Sequence, residues 1–113
     1  MDRLTHLNNS ADKHHFLVVY PDGYRSSWAD GRGPSPAEAA GVDDVRFISE
    51  LIDKLRGEFP IDVNRIYATG ISNGGFMSDR LACELSAKIA GIGVVAATMG
   101  EKLADKCKPG AKF

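Results

Sequence analysis

The chain has 113 residues, 43% of them apolar and 26% charged, and a formal net charge of -1 at pH 7. That is the composition of one ordinary globular domain, residues 1–113, and it excludes a disordered chain. Scattered Lys and Arg offer no footprint for nucleic acid, and the absence of an apolar run near the ~20 residues that cross a bilayer argues against a membrane partner.

In chain order, Leu4, Leu7 and Ala11 suggest a short first helix. Phe16-Leu17-Val18-Val19-Tyr20 is apolar on both faces, as a strand covered by helices is, and Pro21-Asp22-Gly23 ends it with turn chemistry. Beyond the loop-forming Gly31-Arg32-Gly33-Pro34-Ser35-Pro36, Val42, Val45, Ile48, Leu51, Ile52, Leu55 and Phe59 mark one stripe of a helix over 42–59. Asp43, Arg46, Glu50, Asp53 and Lys54 occupy its other face, and Pro60 closes it. Arg65 to Thr69 is a β-branched and aromatic run, which predicts a second strand. A helix over 73–90 carries Phe76, Met77, Leu81, Leu85 and Ile89 at spacings of three to four, and Ile92 to Thr98 reads as a third strand. Three parallel strands, at 16–20, 65–69 and 92–98, alternating with helices imply an α/β fold with a sheet covered on both faces.

Between the second strand and its helix stands Gly70-Ile71-Ser72-Asn73-Gly74-Gly75. A serine flanked by glycines at a strand-to-helix turn is the pattern of a nucleophile elbow, in which the serine is strained and its hydroxyl exposed. Side chains two positions before or after would collide there, an obstacle that Gly70 and Gly74 remove, while Gly75 lets the helix approach the sheet. The same letters can write a Gly-rich structural turn, but the strand–turn–helix setting favours the elbow and makes Ser72 the candidate nucleophile.

Such a serine needs an acid and then a histidine later in the chain, yet no histidine follows His15. His14 and His15 precede the first strand and so lie at its N-terminal edge, opposite the edge that carries Ser72. A five-residue strand separates those edges by about 17 Å, and a general base must come within about 3 Å of the hydroxyl. Nothing supports His6 in that role. Asp79 lies on the elbow helix and reads as a solvated residue. The pattern calls for no cofactor, and two cysteines without nearby histidines make no metal site. Cys83 on the elbow helix and Cys107 in the polar tail are either a disulfide or two unrelated thiols.

The stretch Phe16 to Gly23, the segment Ser27-Trp28-Ala29-Asp30-Gly31, Val42-Asp43-Asp44-Val45 with Phe47-Ile48, and Gly70 to Met77 followed by Arg80 to Leu85 occur in order along almost the whole chain. Together they resemble esterases of the polyhydroxybutyrate-depolymerase type, a group of α/β-hydrolases that also includes feruloyl and acetylxylan esterases. The resemblance implies a partial α/β-hydrolase fold, a serine acyl-enzyme, and a small-molecule or polymeric carboxylic ester as substrate. It also implies secretion, although the Met1-Asp2-Arg3 start carries no export signal. Members of the group are longer, with an earlier strand ending in a His-Gly motif and later strands bearing the acid and histidine. The chain is therefore expected to be an internal fragment, inactive or nearly so by itself, whose open sheet edges invite self-association. In the family strand order, 16–20 and 65–69 lie parallel with one strand's place between them, so 65–69 pairs with 92–98.

Carried over residue by residue, Ser72 is the nucleophile and the backbone N–H of Asn73 is one of two oxyanion donors. Trp28 and Asp30, in the loop after the first strand, are candidate substrate-pocket residues; equally, Trp28 covers the sheet and Asp30 caps a turn. A Cys83–Cys107 disulfide matches the family's secreted habit. Two rivals remain. One is a small doubly wound module that holds an anion at the Gly-rich turn, though it lacks a P-loop lysine and G-x-G-x-x-G spacing. The other is an assembly module whose open sheet another chain completes.

Overall fold

The computed structural model describes residues 6–31 and 35–95. Its elements are α1 (Leu7–His14), a 3₁₀ turn (Tyr24–Ser26), α2 (Pro36–Ala39), α3 (Asp44–Glu58), β1 (Tyr67–Ile71), α4 (Asn73–Glu84) and β2 (Gly91–Val95). None of the described helices is long and apolar enough to cross a membrane.

Local chemistry accounts for most of the helix ends. Pro36 opens α2 at a position where its missing N–H costs nothing, and the Ser35 hydroxyl accepts from the Glu38 N–H at 3.2 Å. Asp43 caps α3 by accepting from the Arg46 N–H at 3.0 Å, and Asp44 places a second carboxylate in its first turn, where the helix dipole favours it. At the other end Phe59 is extended (φ -131°, ψ 151°), as a residue before proline prefers, so Pro60 stops the helix.

β1 and β2 are parallel neighbours in register Tyr67 to Gly91 through Ile71 to Val95, joined by α4 in a β-α-β unit. The Thr69 hydroxyl adds a bond to the Gly93 carbonyl at 2.7 Å. On one side of this ribbon Ile52 of α3, Met77 and Leu81 of α4, and Ile89 form the buried cluster, with Ala68, Ile92, Ile66, Val45, Ile48, Leu85 and Trp28 packed around it. The opposite side is open among the described residues, leaving Tyr67 67% exposed.

Several boundaries differ from the sequence reading. Residues 16–20 form no strand: they have no ladder partner among the described residues, and Phe16, Leu17 and Val19 stay exposed, Leu17 at 62%. A run apolar on both faces becomes a strand only where a sheet neighbour takes its hydrogen bonds, and among the described residues β1 and β2 pair only with each other. The second strand begins two residues later than expected, because Arg65 is held in a turn by its N–H bond to the Asp62 carbonyl. It pairs with the third strand as expected, which runs over 91–95; residues 96–98 lie outside the described residues. The elbow helix stops at Glu84 rather than at residue 90. The chain turns after Leu85, whose carbonyl accepts from both Lys88 and Ile89 N–H groups, and Ala90 then donates to Ile66 at the start of the ladder. That turn is fastened by Lys88, whose Nζ donates to Ser49 Oγ at 2.7 Å and to the Asp53 carboxylate at 2.8 and 2.9 Å.

Candidate active site

Ser72 is the residue between the last position of β1 and the first of α4. Its backbone sits at φ 53° and ψ -115°, a combination that a residue with a Cβ adopts only under strain. The surroundings hold it there. Its N–H extends the ladder to the Val95 carbonyl (2.9 Å) and its carbonyl accepts from Phe76 (2.9 Å), so both backbone groups are committed.

A serine at an N-cap normally turns its hydroxyl back onto the helix N–H groups. Ser72 makes no such side-chain cap, and its hydroxyl has no hydrogen bond among the described residues. The strained φ/ψ pair thus leaves an exposed, uncommitted hydroxyl at the N-terminus of a 12-residue helix. The first N–H groups of that helix have no carbonyl one turn back, and the macrodipole makes their end electropositive.

The glycine requirement at this turn is one-sided. A Cβ at Gly70 would run into the Gly74 carbonyl group and come to 2.8 Å from the Gly74 Cα, backbone atoms that cannot step aside. A Cβ at Gly74 would meet nothing within 4 Å. The collision expected two positions after the serine is therefore absent; Gly74 is the obstacle that dictates Gly70.

The loop carrying Trp28 and Asp30 comes to the same helix end, and the Asn73 side chain joins them. Asn73 Oδ1 accepts from the Trp28 N–H at 2.7 Å, while Asn73 Nδ2 donates to the Trp28 carbonyl at 3.2 Å and to Asp30 Oδ2 at 2.6 Å. Asp30 is 1% exposed. The rest of the loop is fixed as well: the Ala29 N–H donates to buried Asp44 (2.7 Å), the Gly31 N–H to Glu38 (3.0 Å), and the Ser35 hydroxyl to the Trp28 carbonyl (2.7 Å). Arg80 of α4 donates to the Ala29 carbonyl at 2.5 Å. The Trp28 ring stacks on Phe47 at 6.5 Å and 17° and leans on the buried cluster. Nothing in the sequence pattern pointed to the Asn73 side chain, because its partners lie 43 and 45 positions away.

Of the other candidates, Asp79 is corrected: it is buried at 7% exposure, not solvated. Burial raises its carboxyl above the usual carboxylate range, and its Oδ2 has no partner among the described residues. No histidine side chain hydrogen-bonds Ser72 among the described residues; His14 ends α1 and His15 caps it. Cys83 is disulfide-bonded, and Cys107 lies outside the described residues. A groove of about 670 Å³ lies alongside, lined by Ala29, Val42, Arg46, Arg80 and Leu85 among others, but neither Ser72 nor Asn73 lines it.

A β-α-β unit with a strained serine at its turn puts the chain in the α/β class. Comparison with known proteins then places it among esterases. It is 35% identical over 86 residues to a bifunctional acetylxylan esterase/xylanase of Neocallimastix patriciarum, a match covering 76% of the chain and 12% of that protein. It is 31% identical over 99 residues to feruloyl esterase B of Piromyces equi, covering 86% of the chain and 18% of that protein. Feruloyl esterase D of Neurospora crassa is 32% identical over 79 residues, 70% of the chain and 24% of that protein. The chain belongs to this esterase group, and it spans between an eighth and a quarter of the length of these relatives. No protein-family model matches it, and no solved structure does.

Proposed function

We propose that this segment carries the nucleophile and one oxyanion donor of a secreted serine esterase acting on carboxylic esters of the feruloyl, acetylxylan or polyhydroxyalkanoate kind. The observation that carries the reading is Ser72 at φ 53°, ψ -115°, exposed and with its hydroxyl unused at a helix N-terminus. Ser72 Oγ attacks the ester carbonyl as a base takes its proton, the Asn73 N–H donates a hydrogen bond to the developing oxyanion, the alcohol leaves with that proton, and water releases the acyl group from Ser72. The esterase relatives support the reaction class. The disulfide at Cys83 fits an oxidising, extracellular setting, with Cys107 as its partner.

No histidine of the 113 residues follows His15, and among the described residues no hydrogen bond reaches the Ser72 hydroxyl. The chain therefore hydrolyses activated aryl esters no faster than its Ser72→Ala variant. An external base makes the nucleophile visible. With imidazole present, a fluorophosphonate labels Ser72: Oγ bonds to phosphorus, fluoride leaves, and imidazole takes the hydroxyl proton. Peptide mapping that finds the label on Ser72, at a rate rising with imidazole and lost in Ser72→Ala, supports the esterase reading; labelling indifferent to that substitution overturns it.

A further inference from the structure

The backbone N–H of Asn73 has no acceptor among the described residues, and it is only as useful to a transition state as its direction is fixed. An N–H at a helix N-terminus would ordinarily be aimed by the helix alone, and first turns fray. Here the residue that bears it is gripped from the side. The planar Asn73 carboxamide meets both the N–H and the carbonyl of Trp28, a two-point contact that sets its plane. A third bond, from Nδ2 to Asp30 at 2.6 Å, fixes its rotation. Asp30 is an anchor that water scarcely reaches, and the loop is tied in turn to α3 through Asp44 and to α4 through Arg80.

We propose that the Asn73 side chain, held by the Trp28 backbone and the buried Asp30 carboxylate, aims the Asn73 backbone N–H at the reacting centre, so that Asn73 and Asp30 form a positioning pair for the oxyanion. This rests on the esterase reading of Ser72. It assigns Asp30 an internal task in place of substrate contact, since a carboxylate 1% exposed and occupied by Asn73 has no surface to offer a substrate. It also explains a carboxylate close to an oxyanion site: its charge is spent on an amide N–H, polarising the amide without facing the substrate.

The test measures imidazole-assisted fluorophosphonate labelling of Ser72 in the 113-residue chain, where charge develops on the phosphoryl oxygen as on an ester oxyanion. Asn73→Ala frees the side chain's hold, and Asn73→Asp sets two carboxylates against each other. Each lowers the labelling rate by about 10²-fold, the effect of losing or misaiming one oxyanion donor. Asp30→Asn keeps an acceptor for Nδ2 and loses less than either. The exchange Asp30→Asn with Asn73→Asp restores a donor–acceptor pair of reversed polarity between positions 30 and 73, while the bond to the Trp28 carbonyl stays lost. It recovers at least about tenfold of the rate lost by Asn73→Asp alone, a rescue that general destabilisation does not produce. Urea midpoints of all variants, measured alongside, separate folding from aiming. Ser72-dependent labelling at the native rate in Asn73→Ala, or an exchange variant no faster than Asn73→Asp, overturns the pair while leaving the esterase reading intact. Labelling that ignores Ser72→Ala overturns both.

Discussion

Asp79 supplies the sharpest stability test, because the native chain should gain from losing its charge. The carboxylate lies on α4 at 7% exposure, with Oδ2 unpartnered among the described residues. Its neighbour Arg80 does not help: adjacent helical residues point apart, and Arg80 already donates to Glu84 and to the Ala29 carbonyl. An unsatisfied buried polar group costs roughly 1–3 kcal/mol. Asp79→Asn leaves a polar group in place but removes the ionic part, so about 1 kcal/mol of stability should return at pH 7. With m near 2 kcal/mol/M, that gain moves the urea midpoint up by about 0.5 M. The sign with pH follows from linkage. Burial raises the folded-state pKa, so between the unfolded and folded values the folded chain binds more protons, and stability falls as pH rises through that window. Below the unfolded value, near 4, both states are protonated and the charge penalty is gone. Urea titrations of native chain and Asp79→Asn at pH 7 and pH 3 should show the gain at the first and little at the second. A loss of stability at pH 7, or a gain undiminished at pH 3, would refute the account of a buried, unpartnered carboxylate.

At the elbow the two glycines should respond with opposite sign: Gly70→Ala costs about 1–3 kcal/mol by overpacking against Gly74, whereas Gly74→Ala, with open space at its Cβ, gains up to about 1 kcal/mol of helix propensity. Thermal unfolding of the pair checks both. Ile89→Ala, at a 2% exposed member of the buried cluster, should cost about 2–5 kcal/mol in denaturant titrations. Lys88→Ala should cost below about 1 kcal/mol, because Asp53 and Lys88 are 55% and 27% exposed and water already screens them. Non-reducing peptide mapping should recover Cys83 joined to Cys107, and reduction should cost about 2–4 kcal/mol, read as a fall in melting temperature.

What the sequence told correctly was local. The stop before Pro60 and the strand–turn–helix around Ser72 depend on residues within a turn of one another, and both are found near their expected places. Pairing is another matter. Phe16 to Tyr20 has the composition of a buried strand, but a strand exists only where a neighbouring strand takes its hydrogen bonds, and no ladder partner meets it among the described residues. Asp79 misled for a related reason. Helical periodicity assigns a residue to a face, but α4 is buried through Gly75, Met77, Ser78, Asp79, Leu81 and Ala82, so most of its circumference is inside.

The elbow shows how far a local motif reaches. Its letters, glycine on each side of serine, look symmetric, but the geometry is not: the path into β1 makes Gly70 face the backbone of Gly74, while Gly74 already lies in the helix and points into open space. The motif also gives no sign of what steadies the turn from outside. Ser72 holds a backbone conformation that serine alone would leave, and such strain persists only where surroundings overdetermine it. Those surroundings are the ladder bond to Val95 and the side-chain grip of Asn73 on Trp28 and Asp30, contacts with partners some 20 to 45 positions away. The turn at Ser72 is written in six residues, and its rigidity is contributed by a loop that precedes it and a strand that follows.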